Sequence, residues 1–253
     1  KSTWEAAKID HAIEAAKQHA SDNPGGQSAI FTEYTNHGVE ALKSISRRIR
    51  NRVKSGELEQ SAITQAEQID HMLSEAPPLF THPKTGKAET AYERVVRELG
   101  GEKNVAQIHG TGDATKDQQA YQNSDKKFVL ASFSKGGTGL SFHDTTGEAP
   151  RMQINCSLPY SGMVFNQVAG RSHRLGSVGE TQQVWLQGDD DTEKRISDIT
   201  ASKLKGMGAL TTGNPGEYVN TKMLQAWETN AELPDPDSHL DLHESYYEGS
   251  LGD

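Results

Sequence analysis

Gln167-Val-Ala-Gly-Arg-Ser-His-Arg-Leu-Gly-Ser177 decides how the rest of the chain is read. Arg171 and Arg174 stand three residues apart, which on a helix puts both on one face, one turn from each other. Gly170 admits a close approach to the backbone, and Gly176 suits a helix end. Two permanently charged, fork-shaped donors aimed together suit a polyanion such as a transferring phosphoryl group. Basic residues at helical spacing are usually a solvated face, so this stretch needs support from its neighbours.

The support lies upstream, in Phe128-Val-Leu-Ala-Ser-Phe-Ser-Lys-Gly-Gly-Thr-Gly-Leu-Ser-Phe-His-Asp144. Its first four residues read as a buried strand that runs into Ser132, Ser134 and then Gly136, Gly137 and Gly139. A loop of this composition offers several backbone N–H groups to an anion. A second apolar run, Met152 to Leu158, precedes the Arg-bearing segment. The order is strand, Gly-rich loop, strand, then Gln-x-x-Gly-Arg-x-x-Arg.

That order resembles the second RecA-like domain of superfamily 2 helicases and translocases, with 132–144 as motif V and 167–174 as motif VI. Ser134-Lys-Gly-Gly-Thr-Gly-Leu140 is similar to the Gly-Gly-x-Gly-Leu loop of Swi/Snf-type DNA translocases, and Gly170-Arg-Ser-His-Arg-Leu-Gly-Ser177 to their Arg-x-His-Arg-Ile-Gly-Gln. Leu140-Ser-Phe-His-Asp144, Arg151, Leu158-Pro-Tyr-Ser161 and Gly170-Arg-Ser-His-Arg174 look closer still to strawberry-notch-type helicases. The resemblance spans residues 27–206, its strongest motifs filling about fifty of them.

The resemblance implies a division of labour. Arg171 and Arg174 would act as arginine fingers on the γ-phosphate of ATP, with Gln167 in the interlobe polar network. Gly139, Ser141, Asp144 and Gly170 would line the nucleotide and interdomain side. Thr32, His109, Gly110, Ser132, Gly136, Gly137 and Thr138 would face DNA, expected to be double-stranded and tracked along one strand. ATP and Mg would be held mainly by a first RecA-like domain. No Gly-x-x-x-x-Gly-Lys-Ser/Thr and no Asp-Glu-x-His box occurs here. Gly86-Lys87 is no phosphate loop, since Thr81 stands where its first Gly belongs and Ala88 replaces the Ser or Thr. Half of a motor is therefore expected, inactive without its first lobe. The alternative is a non-hydrolysing RecA-like module that binds DNA or a partner protein. Intact Arg171 and Arg174 favour the motor.

Strand–helix alternation predicts a largely parallel sheet with helices on both faces. The expected strands are 28–34, 104–108, 127–132, 151–158 and 182–187. Residues 1–26 read as an N-terminal helix and linker, 27–206 as the domain with a 54–88 insertion, and 207–253 as an extension with an acidic tail. Expected helices are 38–53, 91–99, 115–121 and 192–207. Many relatives carry an Arg on the 115–121 helix, where this chain offers Lys116, Gln118 and Gln119 instead, so a contact assigned to that Arg does not carry over directly. Asp189-Asp-Asp191 reads as an acidic helix start rather than a metal site.

The net charge is −9 and the mean hydropathy −0.73. Eight carboxylate side chains and no Lys or Arg lie between Glu228 and Asp253, so the remainder is nearly balanced. A wholly basic nucleic-acid coat is excluded, while local patches stay open. No run reaches the length of a membrane helix, and no membrane partner is expected. The single cysteine, Cys156, sits in an apolar run and reads as a strand residue. One Cys and no visible signal peptide point to the cytoplasm, or to the nucleus in a eukaryote, with a phage or mobile-element setting also compatible. The opening Lys1, without Met, suggests a fragment or a processed chain. His109, His143 and His173 lack metal-ligand spacing, and no metal site is expected.

Overall fold

The computed structural model describes residues 2–35, 39–75, 78–109, 113–136, 139–172, 176–179, 181–188 and 191–212. Five parallel strands form the main sheet: β1 (Gln27–Thr32), β4 (Val105–Ile108), β5 (Phe128–Ser132), β6 (Arg151–Asn155) and β7 (Thr181–Trp185). Their order is β4-β5-β1-β6-β7. Strands buried on both faces need continuous rather than alternating apolar runs, as in 128–132. Each strand is shorter than its apolar run in the sequence, because pairing ends where the chain turns off the sheet. Ser157 and Leu158 are buried beyond β6 without belonging to it.

Successive residues point to opposite faces, and the core divides accordingly. Ile30, Leu130 and Ile154 face one side, under helix α2 (Ile9–Asp22) and helix α5 (Ala91–Glu98). Ile9, Ala12, Ile13 and Ala16 supply the apolar stripe of α2, so the N-terminal helix is a layer of the sheet domain. A short α1 (Ser2–Ala7) precedes it. Thr90 and Glu93 close a reciprocal capping box that starts α5: the Thr90 oxygen accepts the Glu93 N–H at 3.1 Å, and the Thr90 N–H donates to Glu93 at 2.8 Å.

On the other face, Ala29, Phe31, Val129 and Ala131 pack under Phe133, Phe142, Tyr121 and Val168. Tyr121 comes from α6 (Ala114–Gln122) and Val168 from α8 (Gly162–Ala169). Phe142 is edge-on to both Phe31 and Tyr121, with centroids at 5.7 and 5.8 Å. Helix α9 (Asp191–Thr212) joins α8 through Phe165, Ile196 and Leu204, and Trp185 stacks on Phe165 at 4.6 Å. Cys156 is fully buried, and burial pushes its thiol pKa up, so it is packing rather than a nucleophile.

The 54–88 stretch holds a helix that packs on the one before it. Helix α3 (Val39–Lys54) and helix α4 (Ala62–Glu75) pack against each other, so α3 belongs structurally with α4. After α4, two short strands, β2 (Phe80–Thr81) and β3 (Ala88–Glu89), pair antiparallel. Two further expectations change. The Gly-rich segment is not loop throughout: Phe133–Gly136 forms a helical turn, α7, after Ser132. And α8 ends at Ala169, with Gly170 as its cap, so Arg171 lies past the helix rather than on its face.

Candidate functional site

The connection between β5 and β6, residues 133–150, crosses β1 at the point where the strand order reverses. Open α/β sheets bind ligands outside the carboxyl ends of their strands at such a reversal. Ser132 and Thr32 end the paired strands β5 and β1 side by side in the register.

Arg171 is the hinge of this region. Its side chain is buried beneath the crossover, and one Nη donates to the Leu140 carbonyl at 2.7 Å. Its own carbonyl accepts the Phe142 N–H at 2.8 Å. The Gly-rich crossover and the Arg-bearing segment are thus tied by a hydrogen bond on each side of Ser141. The Ser141 carbonyl in turn accepts Gln118 Nε2 at 2.9 Å and Gln122 Nε2 at 2.8 Å, both from α6. Sequence reasoning misses these two glutamines as site residues, since uncharged amides on a polar helix carry no motif. Gln122 also accepts from Arg151 at 3.1 Å, and the Arg151 guanidinium lies 4.6 Å over the Tyr121 ring. Arg151, Gln122 and Ser141 therefore form a relay from the sheet to the crossover.

Asp144 is expected on the nucleotide side. It is buried, and its carboxylate closes its own loop. One oxygen accepts the Thr146 N–H at 2.9 Å and the Thr146 hydroxyl at 3.0 Å, and the other accepts the Ala149 N–H at 3.2 Å. Burial alone would push its pKa up, but these hydrogen bonds outweigh it and hold the carboxyl below the ordinary range. The Asp144 carbonyl accepts the Val178 N–H at 2.9 Å, and a Cβ on Gly179 would collide with the Asp144 carboxylate. The Arg-bearing segment is seated on this loop at both ends.

The expected DNA contacts divide. Thr32 is fully buried, with its hydroxyl 2.6 Å from the Tyr92 hydroxyl. Ser132 is also buried; its oxygen accepts the Lys135 N–H at 3.4 Å and caps the start of α7. Both side chains are buried on partners of their own, and each residue completes a strand end. His109 is half-buried, edge-on to Tyr92 at 4.4 Å, and burial lowers its pKa. It lines an open groove of about 720 Å³ with Thr35, His82, Thr85 and Lys87. Gly136 ends α7, and Gly139 has φ +75 with open space where a Cβ would stand. Gly176 also has positive φ, +91. Gln167 is exposed on α8. Gly170 is that helix's cap, and a Cβ there would meet the Asn166 carbonyl at 3.3 Å. Gly110, Gly137, Thr138, His173 and Arg174 lie outside the described residues, as do Asp189 and Asp190. Among the described residues no group of three His, Cys, Asp or Glu side chains is placed to hold a metal ion. No helix among them is long and apolar enough to cross a membrane.

Residues 111–234 match the family described as the C-terminal domain on Strawberry notch homologues. The Drosophila melanogaster protein strawberry notch is 25% identical over 150 residues, covering 48% of this chain and 9% of its own length. The Mus musculus protein strawberry notch homolog 2 is 24% identical over 212 residues, covering 81% of this chain and 15% of its own. A protein of Acanthamoeba polyphaga mimivirus named for ATP-dependent RNA helicase activity is 29% identical over 109 residues, 41% of this chain and 20% of that protein. The chain thus spans a fifth or less of these relatives. A solved structure, the C-terminal part of the Fun30 ATPase domain, aligns over 76% of this chain and 44% of that one, at 16% identity and a TM-score of 0.44. The family match over residues 111–234, the crossover and the Arg segment tied to it agree with a helicase C-terminal domain of the strawberry notch type, RecA-like in fold.

Proposed function

We propose that this chain is the C-terminal lobe of an ATP-driven nucleic-acid motor, acting with a first RecA-like lobe that holds ATP and its Mg ion. The observation that carries the reading is the double tie between Arg171 and the crossover, through Leu140 and Phe142. A lobe that only bound a partner would need no rigid connection between these two segments.

The two arginines then take different parts. Arg174 is the finger that meets the γ-phosphate when the lobes close, stabilising charge as it develops. Arg171 is the strut beneath it, passing the displacement of the Arg segment to residues 139–144. Gln167, exposed on α8, joins the interlobe polar network. The crossover reaches the nucleic acid through backbone N–H groups around Gly136 and Gly139, and closing and opening step the pair along one strand. The substrate proposed is duplex DNA, tracked without obligatory strand separation.

Two preparations test this: the 253-residue chain alone, and the same chain joined to a lobe bearing a phosphate loop. The reading expects DNA-stimulated ATP hydrolysis from the joined protein alone. Robust hydrolysis by the isolated chain, or none from the joined protein, would contradict it.

A further inference from the structure

Helix α3 carries six of the chain's 26 Lys and Arg residues within twelve positions, 43–54, in a protein of net charge −9. Lys43, Arg47, Arg50 and Lys54 follow the spacing i, i+4, i+7, i+11. At 3.6 residues per turn these four fall within about 60° of one another, a stripe running about 16 Å along the helix. Successive members stand roughly 5–6 Å apart.

The helix has another face for packing. Ile49 and Val53 are half-buried, and the Ser46 hydroxyl donates to the Ala66 carbonyl of α4 at 3.4 Å. One member of the stripe, Arg50, is held by Asp70 of α4 at 2.6 Å. Arg47 and Lys54 have no carboxylate partner among the described residues, and Lys43, Arg47 and Lys54 are exposed. Packing does not call for the Arg47 and Lys54 charges, and repulsion along the stripe works against the helix.

The placement of α3 bears on what the stripe meets. Helix α3 follows β1, which ends at Thr32, directly beside Ser132, where the Gly-rich crossover begins. Both segments leave the same edge of the sheet. The helix lies outside residues 111–234, the stretch that matches the strawberry notch family. Its main packing partner is α4.

We propose that the Lys43–Arg47–Arg50–Lys54 stripe is a phosphate-backbone contact for nucleic acid engaged by the lobe, distinct from the motif loops. It rests on the reading of the chain as a nucleic-acid motor lobe. A line of cations at turn spacing neutralises successive phosphates and releases their counterions, without reading base sequence.

The test is fluorescence anisotropy with a labelled 30-base-pair DNA duplex across a salt series, using the full 253-residue chain. Lys43→Gln/Arg47→Gln/Lys54→Gln leaves the Arg50–Asp70 pair intact and removes three exposed charges. Removing one phosphate contact lowers the slope of log affinity against log salt by about 0.9, so a drop of about 2–3 is expected. An affinity loss of at least tenfold at low salt should accompany it. The charge-keeping variant Lys43→Arg/Arg47→Lys/Lys54→Arg should restore both, which separates loss of charge from loss of fold. Arg48→Gln/Arg52→Gln, on the other side of the helix, should leave the slope within about one unit of wild type. A triple Gln variant with wild-type affinity and slope would overturn the stripe while leaving the motor reading intact. A wild-type chain that binds no duplex at low salt would overturn both. Competition by a synthetic 228–253 peptide that abolishes the difference between wild type and triple variant would assign the stripe to the acidic tail and overturn the nucleic-acid contact.

Discussion

Arg171 holds the Leu140 carbonyl at 2.7 Å from beneath the crossover, with almost none of its side chain exposed. A guanidinium in that position supports a loop. Arg171→Ala should leave the half-buried Leu140 carbonyl without its donor, costing about 1–3 kcal/mol. Urea unfolding of the 253-residue chain measures this, and Arg174→Ala should leave the midpoint unchanged. Equal losses from the two substitutions would mean that both arginines are structural.

Asp144 makes the fold acid-sensitive in a defined direction. Its folded pKa is depressed, so its contribution is fully present above the unfolded value of about 3.9 and is lost as pH falls through the folded value. Asp144→Asn should therefore destabilise the chain at pH 7 and narrow its gap to wild type below about pH 4. Thermal unfolding from pH 3 to 7 checks this, and a constant gap would remove Asp144 as the source.

Gly179 faces that same carboxylate. Gly179→Ala places a methyl against Asp144 and should cost about 1–3 kcal/mol, as overpacking typically does. In an Asp144→Ala background the same substitution should cost much less. A double variant whose loss equals the sum of the two single losses would show that the two residues do not press on each other.

Lys8 and Glu193 form a buried pair at 2.6 Å, joining the N-terminal helices to α9 across 185 positions. Lys8 also donates to the Leu186 carbonyl at 3.0 Å, and Glu193 accepts the Gly188 N–H. Lys8→Met leaves a buried carboxylate without its cation and should cost about 3–5 kcal/mol. Lys8→Met/Glu193→Leu should recover at least half of that in the same denaturation experiment. No recovery would show that Glu193 is held mainly by its own loop.

The sheet is legible in the sequence because its strands are short apolar runs bounded by polar turns, and their parallel arrangement comes from the helices between them. The boundaries are less legible. Ser157 and Leu158 extend the apolar run past Asn155, the last residue paired in β6, because burial outlasts strand pairing. Gln-x-x-Gly-Arg-x-x-Arg fits a helix by spacing, yet the carbonyl of Arg171 is drawn to Phe142 and the chain leaves the helix at Gly170. Asp144, Thr32 and Ser132 carry polar types that suit a ligand as well as a loop or strand end, and only burial separates the two roles. Gln118, Gln122 and the Lys8–Glu193 pair act through partners 19 to 185 residues away, a relation that local spacing does not encode.

The central claim is that Arg174 completes an ATP site that the chain does not itself contain. Its most direct test is DNA-stimulated ATP turnover by the joined two-lobe protein, compared with its Arg174→Ala variant, with nucleotide binding measured in parallel. The account predicts a loss of roughly 10³–10⁵ in turnover with ATP binding retained. Turnover equal to wild type would contradict it, and the lobe would then be a binding module on a motor fold.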